Sequence, residues 1–132
     1  MLGVIAARFL KAAGVATPVT SNSGIDRALG LETLRTRVGS PFVIEAMQKV
    51  ASTPHEGPVI GFEANGGFLL ASPAKVPGGT LAALPTRDSA LPILTTLALA
   101  ASAPLSRHVS ALALPVCLSD RLENYPVNDS RA

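Results

Sequence analysis

This 132-residue sequence has no tryptophan, one tyrosine, four phenylalanines and a single cysteine. So few aromatic side chains cannot build a base-stacking platform, and a formal charge of only +2 without a basic run gives no footprint for nucleic acid. The lone Cys117 excludes an intrachain disulfide and a cysteine-based metal site. His55 and His108 lie far apart and are more typical of surface residues than of ligands. We therefore expect no nucleic-acid partner, and no metal or cofactor bound by this chain.

Long apolar runs are also scarce. The one long uncharged segment, Ser89 to Ser106, is interrupted by prolines and threonines, whereas a membrane span needs about 20 predominantly apolar residues. We interpret it as a buried helix that Asp88 or Ser89 caps and Pro104 ends. The N-terminal segment carries Arg8 and Lys11 and is typical of an amphipathic helix rather than a signal peptide. No membrane association and a cytoplasmic location are expected.

The length suits one domain, and the apolar pattern predicts alternating strands and helices. Strands are expected at Val15–Val19 and Thr33–Val38, and two more flank a glycine-rich loop. Ser21 to Ser23 offer an N-cap for a short helix ending near Gly30, and Ser40 offers one for a second helix beginning at Pro41. Two strand–helix–strand crossovers followed by a hairpin predict an α/β fold, a three-layer α/β/α sandwich with a mixed four-stranded sheet.

The most informative segment is the predicted strand–loop–strand Val59–Ala71, VIGFEANGGFLLA. Glu63 and Asn65 stand at its tip, and Gly61, Gly66 and Gly67 allow positive φ and close approach of a ligand. A carboxylate and an amide together suit the vicinal hydroxyls of a polyol. Asn-Gly is also a strong hairpin signal, so on spacing alone a purely structural turn is the favoured alternative.

Ligands of open α/β sheets gather at the carboxyl ends of parallel strands, which predicts that Thr20–Asn22, Arg37–Ser40 and Gly61–Gly67 lie close together. Arg37 could pair with a phosphate, and the backbone amides after Ser40 form a small anion site. The alternative for Arg37 is a solvated arginine at a strand edge. The alternative for Arg87 and Asp88 is the start of a helix and its cap, which is the preferred interpretation for Asp88.

Four segments resemble the α-D-phosphohexomutases, the phosphomannomutase and phosphoglucomutase family. The loop resembles that family's sugar-recognition loop, with Glu63 at its glutamate, Asn65 at a usual serine and Gly67 at a usual histidine. Gly39 and Ser40 stand where many members carry glycine and histidine. The other matching segments are TPVTSN at 17–22, RTRVGSPFVIEAM at 35–47 and LPTRDSALPIL at 84–94.

The resemblance implies that residues 1–112 form the family's third domain and that 113–132, including SDRLENYP at 119–126, lead toward a fourth. It also implies a binding role for Glu63, Asn65, Gly66, Gly67, Arg37, Gly39 and Ser40. The EANGG loop and the PTRD segment are more similar to a phosphomannomutase branch than to phosphoglucomutases.

The implied reaction is reversible phosphoryl transfer between the 1- and 6-positions of a hexose phosphate, through a phosphoserine. In the family the phosphoserine, the magnesium loop and the phosphate-gripping loop belong to other domains, and no segment here matches them. Mg²⁺ is thus expected only through an absent domain, and the partners are hexose phosphates and the remaining mutase domains if encoded separately. This sequence alone is expected to be inactive. The alternative is a non-catalytic module that binds sugar phosphates or a protein partner, the remnant of a truncated mutase gene.

Overall fold

The structure, a computed structural model, describes residues 1–118; the predicted link at 119–126 lies outside the described residues. Its helices and strands follow in the order α1 Leu2–Phe9, β1 Gly14–Pro18, α2 Ile25–Leu29, β2 Leu34–Thr36, α3 Ser40–Ala51, β3 Val59–Phe62, β4 Phe68–Leu70, β5 Ala74–Val76, β6 Gly79–Leu81, β7 Leu84–Asp88, α4 Ala90–Ala100 and α5 Leu105–Ser110.

The main sheet has five strands in the order β2-β1-β3-β4-β7. The β1 strand pairs in parallel with β2 and β3, while β4 pairs antiparallel with β3 and β7. The mixed sheet with parallel strands at its centre is confirmed, but the expectation of four strands is wrong by one. The missing strand is β7, an edge strand that tolerates Pro85 because one of its sides needs no hydrogen-bond donor. A separate hairpin joins β5 and β6.

Helices cover both faces of this sheet, as the sandwich requires. On one face α3 packs Val43, Ala46 and Met47 against inward-facing residues of β1, β3 and β4. On the other face α1 packs against the alternate residues of the same strands, among them Val15, Ile60 and Phe68. This burial on both faces explains why β3 and β4 are continuous apolar runs without alternation.

Gly61 serves this packing rather than a left-handed turn. A Cβ at this position would lie 2.5 Å from Cγ1 of Val43 and 2.7 Å from Sδ of Met47, so the absence of a side chain lets α3 approach β3. Of the three loop glycines, Gly66 has positive φ, at 91°, while Gly61 and Gly67 do not. The expectation of positive φ therefore holds at Gly66 alone.

Several helix ends in the structure differ from the predicted ones. Gly30 ends α2 in a left-handed conformation, as expected, but Gly24 rather than a serine is its N-cap. The α4 helix ends at Ala100, and its exposed residues Ile93, Leu94 and Leu97 contradict the expected buried helix. Ser89 is its N-cap, and Oδ1 of Asp88, the residue before it, accepts a 2.7 Å bond from the amide of Ala90. Within residues 1–118 no helix is long and apolar enough to cross a membrane.

Candidate functional site

The loop between β3 and β4 is a closed turn. The amide of Glu63 donates to the carbonyl of Gly67 at 2.9 Å, and the amide of Gly66 donates to the carbonyl of Glu63 at 3.1 Å. Oδ1 of Asn65 accepts a 3.0 Å bond from the amide of Gly67, as in an Asx turn. The turn interpretation is thus structurally right, and it holds Glu63 in place while leaving Nδ2 of the exposed Asn65 available as a donor.

Glu63 is the buried polar group of this loop, with 8% of its surface exposed. Its Oε2 accepts a 2.9 Å hydrogen bond from Oγ of Ser40 and lies 3.4 Å from Nε of Arg87. A buried carboxylate is costly without such partners. The prediction that Ser40 is the N-cap of α3 is wrong. Gly39 is the N-cap, and the Ser40 hydroxyl donates its hydrogen bond to Glu63 instead.

The second oxygen of Glu63, Oε1, accepts no hydrogen bond from residues 1–118. Glu63 also lines a cavity of about 360 Å³ whose polar wall includes Thr20, Ser21 and Asn22 at the end of β1.

A buried bond network links that wall to the loop. Oγ1 of Thr17 donates a 2.8 Å hydrogen bond to the carbonyl of Phe62 and lies 2.7 Å from Oγ of Ser21. Together with the bond between Ser40 and Glu63, it brings the ends of β1 and β3 and the start of α3 to one edge of the sheet. The three predicted segments meet there, as strand topology requires.

Arg37 stands apart from Glu63 in the contacts of the described chain. Its side chain is exposed, and its guanidinium carbon lies 4.3 Å from the centre of the Phe42 ring, a cation–π contact. Gly39, with φ at 129°, forms the turn between them. The amides of Phe42 and Val43 donate to the carbonyl of Gly39, and Pro41 has no N–H, so the anion site predicted after Ser40 has few free donors.

Arg87 is the site residue that sequence reasoning missed. Strand β7 pairs with β4 and brings Arg87 beside Gly67, where a Cβ would lie 3.0 Å from Nε of Arg87 and 3.2 Å from Oε2 of Glu63. A usable signal existed: a carboxylate between two buried strands needs a cation, and Arg87 is the first arginine after Glu63.

Metal ligation finds no support in the described part of the chain. No group of three or more histidine, cysteine, aspartate or glutamate residues there could hold an ion. The ring of His108 contacts the carbonyl of Leu99 at 3.0 Å, while His55 and Cys117 are exposed.

Comparison with known proteins gives one consistent result. Residues 1–115 match the family model described as phosphoglucomutase/phosphomannomutase, alpha/beta/alpha domain III. A phosphomannomutase of Sinorhizobium fredii (strain NBRC 101917 / NGR234) is 52% identical over 134 residues, which cover 100% of this chain and 28% of the relative. A phosphomannomutase of Salmonella muenchen is 37% identical over 131 residues, covering 98% of this chain and 27% of the relative.

A phosphoglucosamine mutase of Bartonella henselae (strain ATCC 49882 / DSM 28221 / CCUG 30454 / Houston 1) is 37% identical over 78 residues, 57% of this chain and 16% of that protein. The chain thus spans little more than a quarter of the length of the two phosphomannomutases it matches.

Proposed function

Because this chain belongs to the phosphoglucomutase/phosphomannomutase family as its α/β/α domain III, we propose that it forms the sugar-recognition wall of a phosphomannomutase-like phosphohexomutase. The observation that carries the proposal is the buried carboxylate of Glu63, with one oxygen contacted by Ser40 and Arg87 and the other without a hydrogen bond from residues 1–118. Such a group accepts hydrogen bonds from sugar hydroxyls without having to reorganise first.

The proposed contribution is to orient the hexose. Phosphoryl transfer between the 1- and 6-positions requires the sugar to present either end to one reacting group, and that depends on positioning more than on covalent work. Glu63 would accept ring hydroxyls, Asn65 would donate from Nδ2, and Gly66 and Gly67 would let the backbone come close to the ring. Gly39 would shape the turn before α3, and Arg37, exposed beside it, would meet a phosphate at the rim.

In this proposal Mg²⁺ comes with another domain, as the family resemblance implies. Within residues 1–118 no group of three or more histidine, cysteine, aspartate or glutamate residues could hold a metal ion. By the same resemblance the phosphoserine and the phosphate-gripping loop would also come from elsewhere. The side chains described here bind and orient; none is proposed as a nucleophile.

Mannose phosphate is the proposed substrate class. The two relatives that match nearly the whole chain are both named phosphomannomutase, at 52% and 37% identity, whereas the phosphoglucosamine mutase matches a shorter stretch. A role in carbohydrate metabolism in the cytoplasm follows from the same proposal.

A non-catalytic module that binds hexose phosphates is the second candidate. It is favoured by the site itself, which offers hydrogen-bond acceptors and donors, while no group of three or more metal-ligating side chains lies within the described residues. The two candidates share the binding step and differ only in whether turnover follows from it.

The test is an amide NMR titration of the 132-residue chain with mannose 1-phosphate, repeated with glucose 1-phosphate. We expect shifts concentrated at Glu63–Gly67 and at the Arg37–Ser40 turn, and their loss in Glu63→Gln. Glu45→Gln is the matched control, because Glu45 is exposed on α3. Absence of shifts at millimolar ligand, or shifts unaffected by Glu63→Gln, would overturn the proposal.

A further inference from the structure

We infer that Arg87 is a positioning residue for Glu63, and that position 67 has no side chain in order to admit the Arg87 guanidinium. The inference rests on the proposed function, since it names the residue that orients the carboxylate proposed to meet the sugar. It concerns a strand, β7, that the sequence did not reveal.

Two groups contact the same oxygen of Glu63. Nε of Arg87 lies 3.4 Å from Oε2 of Glu63, and Oγ of Ser40 donates to the same oxygen at 2.9 Å. Because both partners meet one oxygen from different elements, rotation of the carboxylate would break both contacts. These two contacts occupy Oε2 and leave Oε1 without a hydrogen bond from residues 1–118.

The Glu63 and Arg87 side chains of the ion pair differ in burial. The Glu63 side chain is 7% exposed, while the Arg87 side chain is 54% exposed. The carboxylate is thus the group that needs a partner, and the arginine remains solvated at the rim. Exposed charges lose much of their mutual attraction to solvent, so the value of this contact lies in orientation more than in stability.

The backbone around Arg87 is held in place through its neighbour Asp88. Asp88 pairs with Phe68 across β4 and β7, and the Asp88 carboxylate accepts bonds from Ala90 at 2.7 Å and Leu91 at 3.4 Å at the start of α4. The backbone around Arg87 is therefore anchored by the sheet on one side and by a helix N-terminus on the other. Only the side chain of Arg87 is free to choose its partner.

Room for the Arg87 side chain is left at Gly67. This residue is buried and lacks positive φ, so its backbone conformation does not demand glycine. A Cβ would instead stand 3.0 Å from Nε of Arg87 and 3.2 Å from Oε2 of Glu63, closer than ordinary van der Waals contact. Glycine at this position makes the room through which the guanidinium reaches the carboxylate.

Binding of mannose 1-phosphate by the full 132-residue chain tests the role of Arg87. We expect Arg87→Met to weaken binding about fivefold, the equivalent of about 1 kcal/mol for a partly exposed charged contact. Arg87→Lys should restore most of the affinity, because an ammonium can also pair with Glu63. Gly67→Ala should give an intermediate loss, because its added methyl crowds the contact between Arg87 and Glu63. Arg107→Met, at an exposed position on α5, is the control.

The contact itself has a separate readout that needs no ligand. The Nε–Hε resonance of Arg87 should shift in Glu63→Gln and in Gly67→Ala, while that of Arg107 should not. If the wild-type chain binds sugar phosphate but Arg87→Met binds equally well, the inference is overturned and the proposed function stands. If the wild-type chain shows no binding, the proposed function fails and takes the ligand role of Arg87 with it. Should Arg87→Met lose its dispersed spectrum, the lysine and Gly67→Ala variants decide between the same outcomes.

Discussion

The hydroxyl of Thr17 donates a 2.8 Å hydrogen bond to the carbonyl oxygen of Phe62, the residue that precedes Glu63. Both residues are buried, and they are 45 positions apart in the chain. The bond fastens the end of β1 to the last residue of β3, so the starting point of the loop between β3 and β4 depends on a side chain in another matched segment.

Replacing Thr17 with valine should therefore affect both stability and the loop. Valine keeps the shape but leaves a buried carbonyl without its donor, which costs about 1–3 kcal/mol. Urea unfolding should show this loss, and the amides of residues 62–67 should move. Thr80→Val is the control, because Thr80 is exposed on β6. An unchanged midpoint in Thr17→Val would mean that the bond does not support the loop.

Ser40→Ala tests the second arm on Glu63. Removing the hydroxyl leaves Arg87 as the described partner of Oε2, and we expect a loss of about 1 kcal/mol in the free energy of unfolding and a weaker response to mannose 1-phosphate. Ser52→Ala is the matched control, since that hydroxyl bonds only the Lys49 carbonyl on the exposed end of α3. Equal behaviour of the two variants would contradict the assigned contact.

Gly61→Ala probes the close packing of α3 on β3. The added methyl would meet Val43 and Met47 at 2.5 Å and 2.7 Å, and overpacking of this kind costs about 1–3 kcal/mol. Gly79→Ala adds the same methyl where nothing lies within 4 Å, and should leave the thermal midpoint nearly unchanged. A stable Gly61→Ala chain would show that α3 can move away without cost.

Turnover by the chain alone is expected to be absent. We propose only a binding role for the described side chains, and no group of three or more histidine, cysteine, aspartate or glutamate residues within 1–118 could hold a metal ion. A coupled assay with mannose 1-phosphate, Mg²⁺ and a hexose bisphosphate should match the rate with no protein, whereas a complete phosphomannomutase assayed alongside should turn over. A rate that rises in proportion to the concentration of the purified chain would refute this prediction.

Much of the fold was predictable because its signals are local. Apolar runs punctuated by glycine and proline mark β1 and β3, and the Asn65-Gly66 pair marks the turn into β4. Gly30 marks the end of α2 because a left-handed cap favours glycine. Once the parallel crossovers are recognised, convergence of the strand ends follows from topology.

The remaining features depend on partners that are distant in sequence. Leu84–Asp88 is an exposed edge strand with a proline, so it has neither alternation nor burial to distinguish it from a helix start. Ser40 before Pro41 is typical of an N-cap, yet its hydroxyl bonds Glu63, 23 residues away. Arg87 could be connected to Glu63 only after β7 was placed beside β4.

The exposed residues Ile93, Leu94 and Leu97 on α4 set a practical limit on handling the protein. Three large aliphatic side chains on one short helix form an exposed apolar ridge. In concentrated samples, association of molecules through this ridge removes it from water and lowers the free energy. Light scattering should increase with protein concentration and fall when lysine replaces Leu94 and Leu97. Titrations of the chain with sugar phosphates are therefore best run at low protein concentration, so that self-association through the ridge is not mistaken for ligand binding.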